Sequence, residues 1–335
     1  MRWPSLRNEH MSNRAQLYRL LPVLRSLSAN QLTIAVAAIV VLFVSGEIIS
    51  PGFLSFSHLM SVLRLSVFLG IVALGQSLVV MAGGEGIDLS VGSVLSLGVC
   101  ISSSLLLGKD ANIPAALVAT IGAGFAIGLI NGAGISYVGV PPLIMTLAMA
   151  SVVEGLSLIY TGGYPHGSAP ALLEALGNGR ILEIPNILLF WILIIVAASV
   201  ILLRHRWGAV LFGVGANSVT AELSGINVKR FRMFVYGICG AVSGLAGFFV
   251  LGYTGTPYLN LGGPYLMTSI AAVAIGGISL AGGSGSYIGA AIGCILLTTL
   301  SSILVALKTT ESVRQIVYGS LIFIIVVIYS RRRRR

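Results

Sequence analysis

Residues 187–203 contain no charged side chain, and comparable apolar runs recur along most of the chain. A run of that length costs too much to expose to water and is too long for a buried strand. The runs do not alternate with period two. In lipid every backbone group must be bonded within its segment, which leaves helices or closed barrels, and continuous runs select helices. Only 9% of the 335 residues are charged and 56% are hydrophobic, with mean hydropathy +0.98. A soluble domain carries about 25% charged residues. The fold class is therefore all-α, a polytopic integral membrane bundle of about ten transmembrane helices.

Candidate spans are 31–50, 59–81, 87–107, 114–135, 140–160, 187–203, 233–253, 266–282, 286–307 and 313–330. They define a basic N-terminal segment (1–30), a transmembrane domain (31–330) and a basic tail (331–335). Five of the twenty Lys and Arg residues lie in 1–30, five in the loop 204–232 and five at 331–335. The positive-inside rule puts all three groups, and so both termini, in the cytoplasm. The net charge of +10 is thus a topology and anionic-lipid signal, with no aromatic-interleaved groove for nucleic acid. Leu17, Leu20, Leu21 and Leu24 recur among Arg14, Arg19 and Arg25, the pattern of a short interfacial helix or of a disordered basic tail.

Small residues repeat every four positions: Gly124, Gly128 and Gly132; Gly285, Gly289 and Gly293; Gly92, Ser96, Cys100 and Ser104; Gly240 and Gly244. Such stripes serve close helix packing or line a narrow pore. Residues 82–86 (Ala-Gly-Gly-Glu-Gly) echo 281–285 (Ala-Gly-Gly-Ser-Gly), as a duplicated bundle would.

The chain carries no HExxH or GxSxG pattern and no GxxxxGK[ST] loop, so it has no P-loop route to ATP hydrolysis. Cys100, Cys239 and Cys294 form no CxxC pair, and the four histidines have no metal-ligand spacing. The most informative stretch is 83–93, where glycines interrupt an apolar run and Asp88 precedes the next one. Asp88 has two readings. It caps the following helix, which stabilises by about 1 kcal/mol, or with Ser90 it borders the substrate path at a broken helix. In 204–232, Asn217 or Ser218 can cap a short helix that contains Glu222 and that Gly225 ends.

Residues 86–93 (Gly-Ile-Asp-Leu-Ser-Val-Gly-Ser) resemble the hallmark of the ribose-type sugar permeases of ATP-binding-cassette importers. The resemblance continues through 142–147, 159–163, 215–228 and 271–285, and covers the chain from about residue 55. It implies a permease that moves a ribose-like monosaccharide or related compound across the bacterial inner membrane. No cofactor would bind this chain; ATP and Mg would be used by partner ATPase subunits on the cytoplasmic face. A periplasmic sugar-binding protein and a second permease, identical or homologous, complete the implied assembly. Gly86, Asp88, Ser90 and Gly92 would border the translocation path or its hinge. Asn217, Glu222, Leu223 and Gly225 would form the coupling helix that meets the ATPase. The sequence departs from the family at Glu154, where a basic residue is usual; Arg180 and Arg64 are its candidate partners. An ion-coupled secondary sugar carrier is the alternative, and would need a relay of acids from Glu47, Asp88 and Glu154.

Overall fold

A computed structural model describes residues 31–333, and the candidate interfacial helix at 1–30 lies outside them. The described residues form thirteen α-helices and one two-stranded hairpin. In chain order the first five are α1 (Gln31–Ile49), α2 (Phe56–Met81), α3 (Val91–Leu106), α4 (Ile113–Ala133) and α5 (Pro142–Thr161). After α6 (Ala171–Asn178), strands β1 (Arg180–Ile181) and β2 (Ile184–Pro185) pair antiparallel, Arg180 opposite Pro185. Then follow α7 (Asn186–Arg204), α8 (Arg206–Ala216), α9 (Ser218–Leu223), α10 (Val228–Thr254), α11 (Gly263–Ile275), α12 (Tyr287–Ala306) and α13 (Glu311–Arg333).

Seven of these helices are long and apolar enough to cross a membrane, and α3 and α11 are shorter apolar helices. A straight crossing takes about 20 residues. The spans expected at 87–107 and 266–282 are therefore broken. Residues 82–90 leave the helix through turns and irregular backbone before α3 begins, and 276–286 do the same before α12. The outer connection 161–186 folds into α6 and the hairpin, which the sequence reading lacked. The loop 204–232 holds the expected short helix as α9 and adds α8 and the start of α10.

α2 and α10 are buried along most of their length, whereas α1, α5 and α7 expose most of theirs. The exposed residues there, such as Ile48, Ile159 and Leu193, are large and apolar, as lipid-facing surface requires. Polar glue sits at the centre. The Trp191 Nε1 donates to the Tyr287 hydroxyl at 2.9 Å, which donates to the Gly70 carbonyl at 2.8 Å, tying α7, α12 and α2 together.

The glycine stripes settle as packing. A methyl group on Gly124 would overlap the backbone of Gly240, one on Gly128 that of Tyr236, and one on Gly244 that of Thr120. α4 and α10 thus touch backbone to backbone. On α12, Gly289 and Gly293 press in the same way against Gly276 and Ala272.

Candidate functional site: a buried break in α3 and a glycine junction beneath it

The local chemistry of residues 82–90 explains the break. Gly83, Gly84 and Glu85 all have left-handed backbone, with φ of 70°, 69° and 57°. Three such residues in a row cannot continue a right-handed helix, and two of them need glycine to avoid a Cβ clash. Beyond them 86–88 has no regular secondary structure. This segment lies against α5, where the Thr146 hydroxyl reaches the Ile87 carbonyl at 3.4 Å.

Asp88 is buried and so is Ser90. One carboxylate oxygen of Asp88 accepts the Ser90 amide at 2.8 Å and the Ser90 hydroxyl at 2.6 Å. Asp88 is therefore not the N-cap of α3. Ser90 occupies that position without a side-chain cap, and Asp88 binds the amide of Ser90 itself. The expected cap is replaced by a tight turn that closes one residue before the helix. The hydroxyl of Ser90 also accepts from Asn131 Nδ2 on α4 at 2.9 Å. With its amide oriented to match, Gln76 of α2 donates to the Asp88 carbonyl at 3.1 Å and accepts from its amide at 3.3 Å. Thr146, Asn131 and Gln76 thus surround the motif from three helices. Thr146 falls in the resembling block 142–147, while Gln76 and Asn131 lie outside every such block, in apolar runs. Asn131 Oδ1 is buried without a partner.

Gly92 sits in the first turn of α3, where a Cβ would lie 2.7 Å from the Gly262 carbonyl. The Ser96 hydroxyl, one turn on, accepts the Gly262 amide at 2.9 Å. The connection from α10 to α11 therefore rests on the start of α3. Gly86, Asp88, Ser90 and Gly92 are each buried along one segment, with Ile87 and Leu89 half-buried between them.

The second group of residues lies apart from the first. The Asn217 side chain accepts from the Thr220 amide at 3.0 Å and so caps α9. Gly225, with φ of 84°, ends it, its amide donating to the Glu222 carbonyl at 2.9 Å. Ala221 packs inward with Val214 and Val228. Leu223 is 85% exposed, and Val219 and Glu222 are exposed beside it.

Backbone contacts join the two groups. A Cβ on Gly83 would lie 2.8 Å from the carbonyl of Gly215, at the end of α8, and one on Gly215 would overlap the Met81 carbonyl. The second glycine-rich segment enters the same place. The Gly283 amide donates to the Met81 carbonyl at 3.0 Å, and a Cβ on Gly282 would lie 2.5 Å from Gly83 Cα. The two echoing segments, 82–86 and 281–285, therefore meet each other at the base of the helix that leads to α9. Arg232 closes the junction by donating from Nε to the Ala82 carbonyl at 3.3 Å.

Among the described residues no cluster of three potential metal ligands occurs. Glu47 accepts the amides of Gly52 and Leu54 at 3.0 and 2.7 Å, closing the turn after α1. Arg180, one candidate partner of Glu154, instead pairs with Glu183 at 3.5 Å.

Residues 58–326 match the profile of a family described as the permease component of a branched-chain amino acid transport system. The ribose import permease protein of Escherichia coli K12 is 31% identical over 300 residues, covering 88% of this chain and 92% of that protein. The ribose import permease protein of Bacillus subtilis is 33% identical over 296 residues, covering 88% and 90%. The autoinducer 2 import system permease protein of Shigella flexneri is 30% identical over 312 residues, covering 93% and 90%. No solved structure matches the chain.

Proposed function

Given that the chain belongs to this family of importer permease components, we propose that it is the membrane subunit of an ATP-binding-cassette importer for a ribose-like monosaccharide or related compound. It works in the bacterial inner membrane with both termini in the cytoplasm. The charge distribution supports that orientation, since it keeps 1–30, 204–232 and 331–335 on one side. It is not itself an enzyme. ATP and Mg are used by separate ATPase subunits, a periplasmic protein delivers the sugar, and a second permease completes the pathway.

α9 is the part that meets the ATPase. A capped helix held by Ala221, with Val219, Glu222 and Leu223 exposed on its outer side, suits a groove on another protein. Asn217 and Gly225 set its two ends. The buried break from Gly86 to Gly92 is the hinge at the sugar's path, with Asp88 and Ser90 holding its shape through hydrogen bonds within the turn.

The observation that carries the mechanism is the contact of Gly83 with Gly215. Movement of α9 reaches α8 directly. At Gly215 it meets the base of both broken segments with no side chain between to absorb it. ATP-driven closure of the ATPases would thus tilt α3 and α12 together and change which side the cavity faces.

Uptake by proteoliposomes tests the proposal. The chain is reconstituted with its ATPase and sugar-binding protein, and labelled D-ribose is offered with and without ATP. Uptake that needs both partners supports the importer. Uptake by the chain alone under a proton gradient would make it a secondary carrier instead.

A further inference from the structure

Glu154 lies on α5, about 18 Å from the helix start at 1.5 Å rise per residue, on a helix otherwise built of apolar and small residues. Its side chain is exposed. The ion pairs among the described residues are Arg180–Glu183 and Arg314–Glu311, so neither reaches Glu154. A carboxylate at such a depth costs several kcal/mol against lipid unless water or a ligand meets it. Its one hydrogen bond comes from the Ser93 hydroxyl, at 3.1 Å. That serine is in the first turn of α3, directly above the break.

Beside the carboxylate is a cavity of about 190 Å³ lined by Ser96, Glu154, Ser157, Leu158, Leu259 and Asn260. This is many times the space one water needs. Its polar rim has a direction. The Ser157 hydroxyl donates to the Val153 carbonyl, so its remaining capacity toward the cavity is to accept. The Ser96 hydroxyl donates to the Gly92 carbonyl and accepts from Gly262. Glu154 accepts only, and the Ser93 bond uses one of roughly four lone-pair sites. The rim therefore sets the negatively charged Glu154 and the serine acceptors beside the Asn260 amide, which can donate as well as accept, with Leu158 and Leu259 supplying apolar wall.

We propose that this cavity is a contact site for a neutral polyhydroxylated ligand. Adjacent hydroxyls of the ligand donate to the Glu154 carboxylate while its C–H face lies against Leu158 and Leu259. An anionic sugar, such as a sugar acid or sugar phosphate, is repelled. The placement of this site on the sugar's route rests on the importer reading; the site's own chemistry does not. Because Ser93 and Gly92 belong to the first turn after the break, any tilt of α3 moves the Ser93–Glu154 bond and reshapes the cavity.

Thiol accessibility tests the site without partners. The protein with Asn260→Cys, which keeps the Glu154 carboxylate, is placed in liposomes and treated with the cationic reagent 2-(trimethylammonio)ethyl methanethiosulfonate. The native cysteines Cys100, Cys239 and Cys294 are buried and give little background. Rapid modification, slowed severalfold by D-ribose or ribitol at high concentration, is the expected result. Leu259→Cys, also in the lining, repeats the measurement should the first variant fold poorly. Absence of modification at both positions would overturn the site, as would modification that neither polyol slows. Protection by an organic cation such as tetramethylammonium, with none by the polyols, would also overturn it. The uptake assay stands separately. Protection without ATP-driven uptake keeps the site and removes the importer, and uptake without protection does the reverse.

Discussion

The amide of Gly283 donates to the carbonyl of Met81 at 3.0 Å, joining the glycine-rich segment between α11 and α12 to the end of α2, far away in sequence. That bond and the neighbouring contact of Gly83 with Gly215 leave no room for a side chain. On this account the junction passes force between α9 and the broken helices.

Gly215→Ala tests the junction. The added methyl would overlap the Met81 carbonyl and lie 2.5 Å from the Gly283 amide nitrogen. Overpacking of this kind costs about 1–3 kcal/mol. The variant should insert and purify with a lowered melting temperature in detergent. ATPase stimulation and uptake should fall far more than the melting shift explains. Gly122→Ala, with nothing within 4 Å of its Cβ, should leave both unchanged.

Asp88→Ala removes the acceptor of the Ser90 amide and hydroxyl. A buried donor left unpaired costs about 1–3 kcal/mol. Transport should fall more than the yield of folded protein does, because the turn that shapes the hinge is lost. Asp88→Asn keeps one carbonyl acceptor and should recover part of the uptake. A loss confined to expression would reduce Asp88 to a local structural role.

Glu222→Arg reverses a charge on the exposed side of α9 without touching its cap at Asn217 or its end at Gly225. The protein should insert normally, yet stimulated ATPase and uptake should be abolished. Normal coupling in this variant would remove α9 from the ATPase interface.

Tyr287→Phe separates packing from transport. It leaves the Trp191 Nε1 without its acceptor and removes a second donor from the Gly70 carbonyl, which keeps its bond within α2. The buried orphan N–H costs about 1–3 kcal/mol, so a clear fall in melting temperature in detergent is expected. Since the site lies elsewhere, the KM for sugar should not move.

Much of the helical layout was legible in the sequence because lipid leaves little choice. The spans 59–81, 114–135, 140–160, 187–203, 233–253 and 286–307 fall within or nearly within long helices. The two short ones were overextended for a physical reason. Hydropathy averages over a window, and Gly83, Gly84 and Gly282 count as nearly neutral in it, while their backbone angles stop the helix. α8 was hidden similarly, since Gly208, Gly213 and Gly215 weaken an 11-residue helix that lies beside the membrane spans. In the site, Asp88 and Ser90 stood out by motif. Gln76 and Asn131 could not, because their role comes from helices brought together only in the fold. The glycine echo was readable as a likeness between 82–86 and 281–285, but nothing in either segment announced that they touch.

The most direct test of the central claim is labelled D-ribose uptake by proteoliposomes holding this chain, its ATPase and its sugar-binding protein. The account predicts uptake that stops when ATP, the ATPase or the binding protein is withheld, and that Glu222→Arg abolishes. Uptake that continues without ATP, driven by a proton gradient across this chain alone, would contradict it.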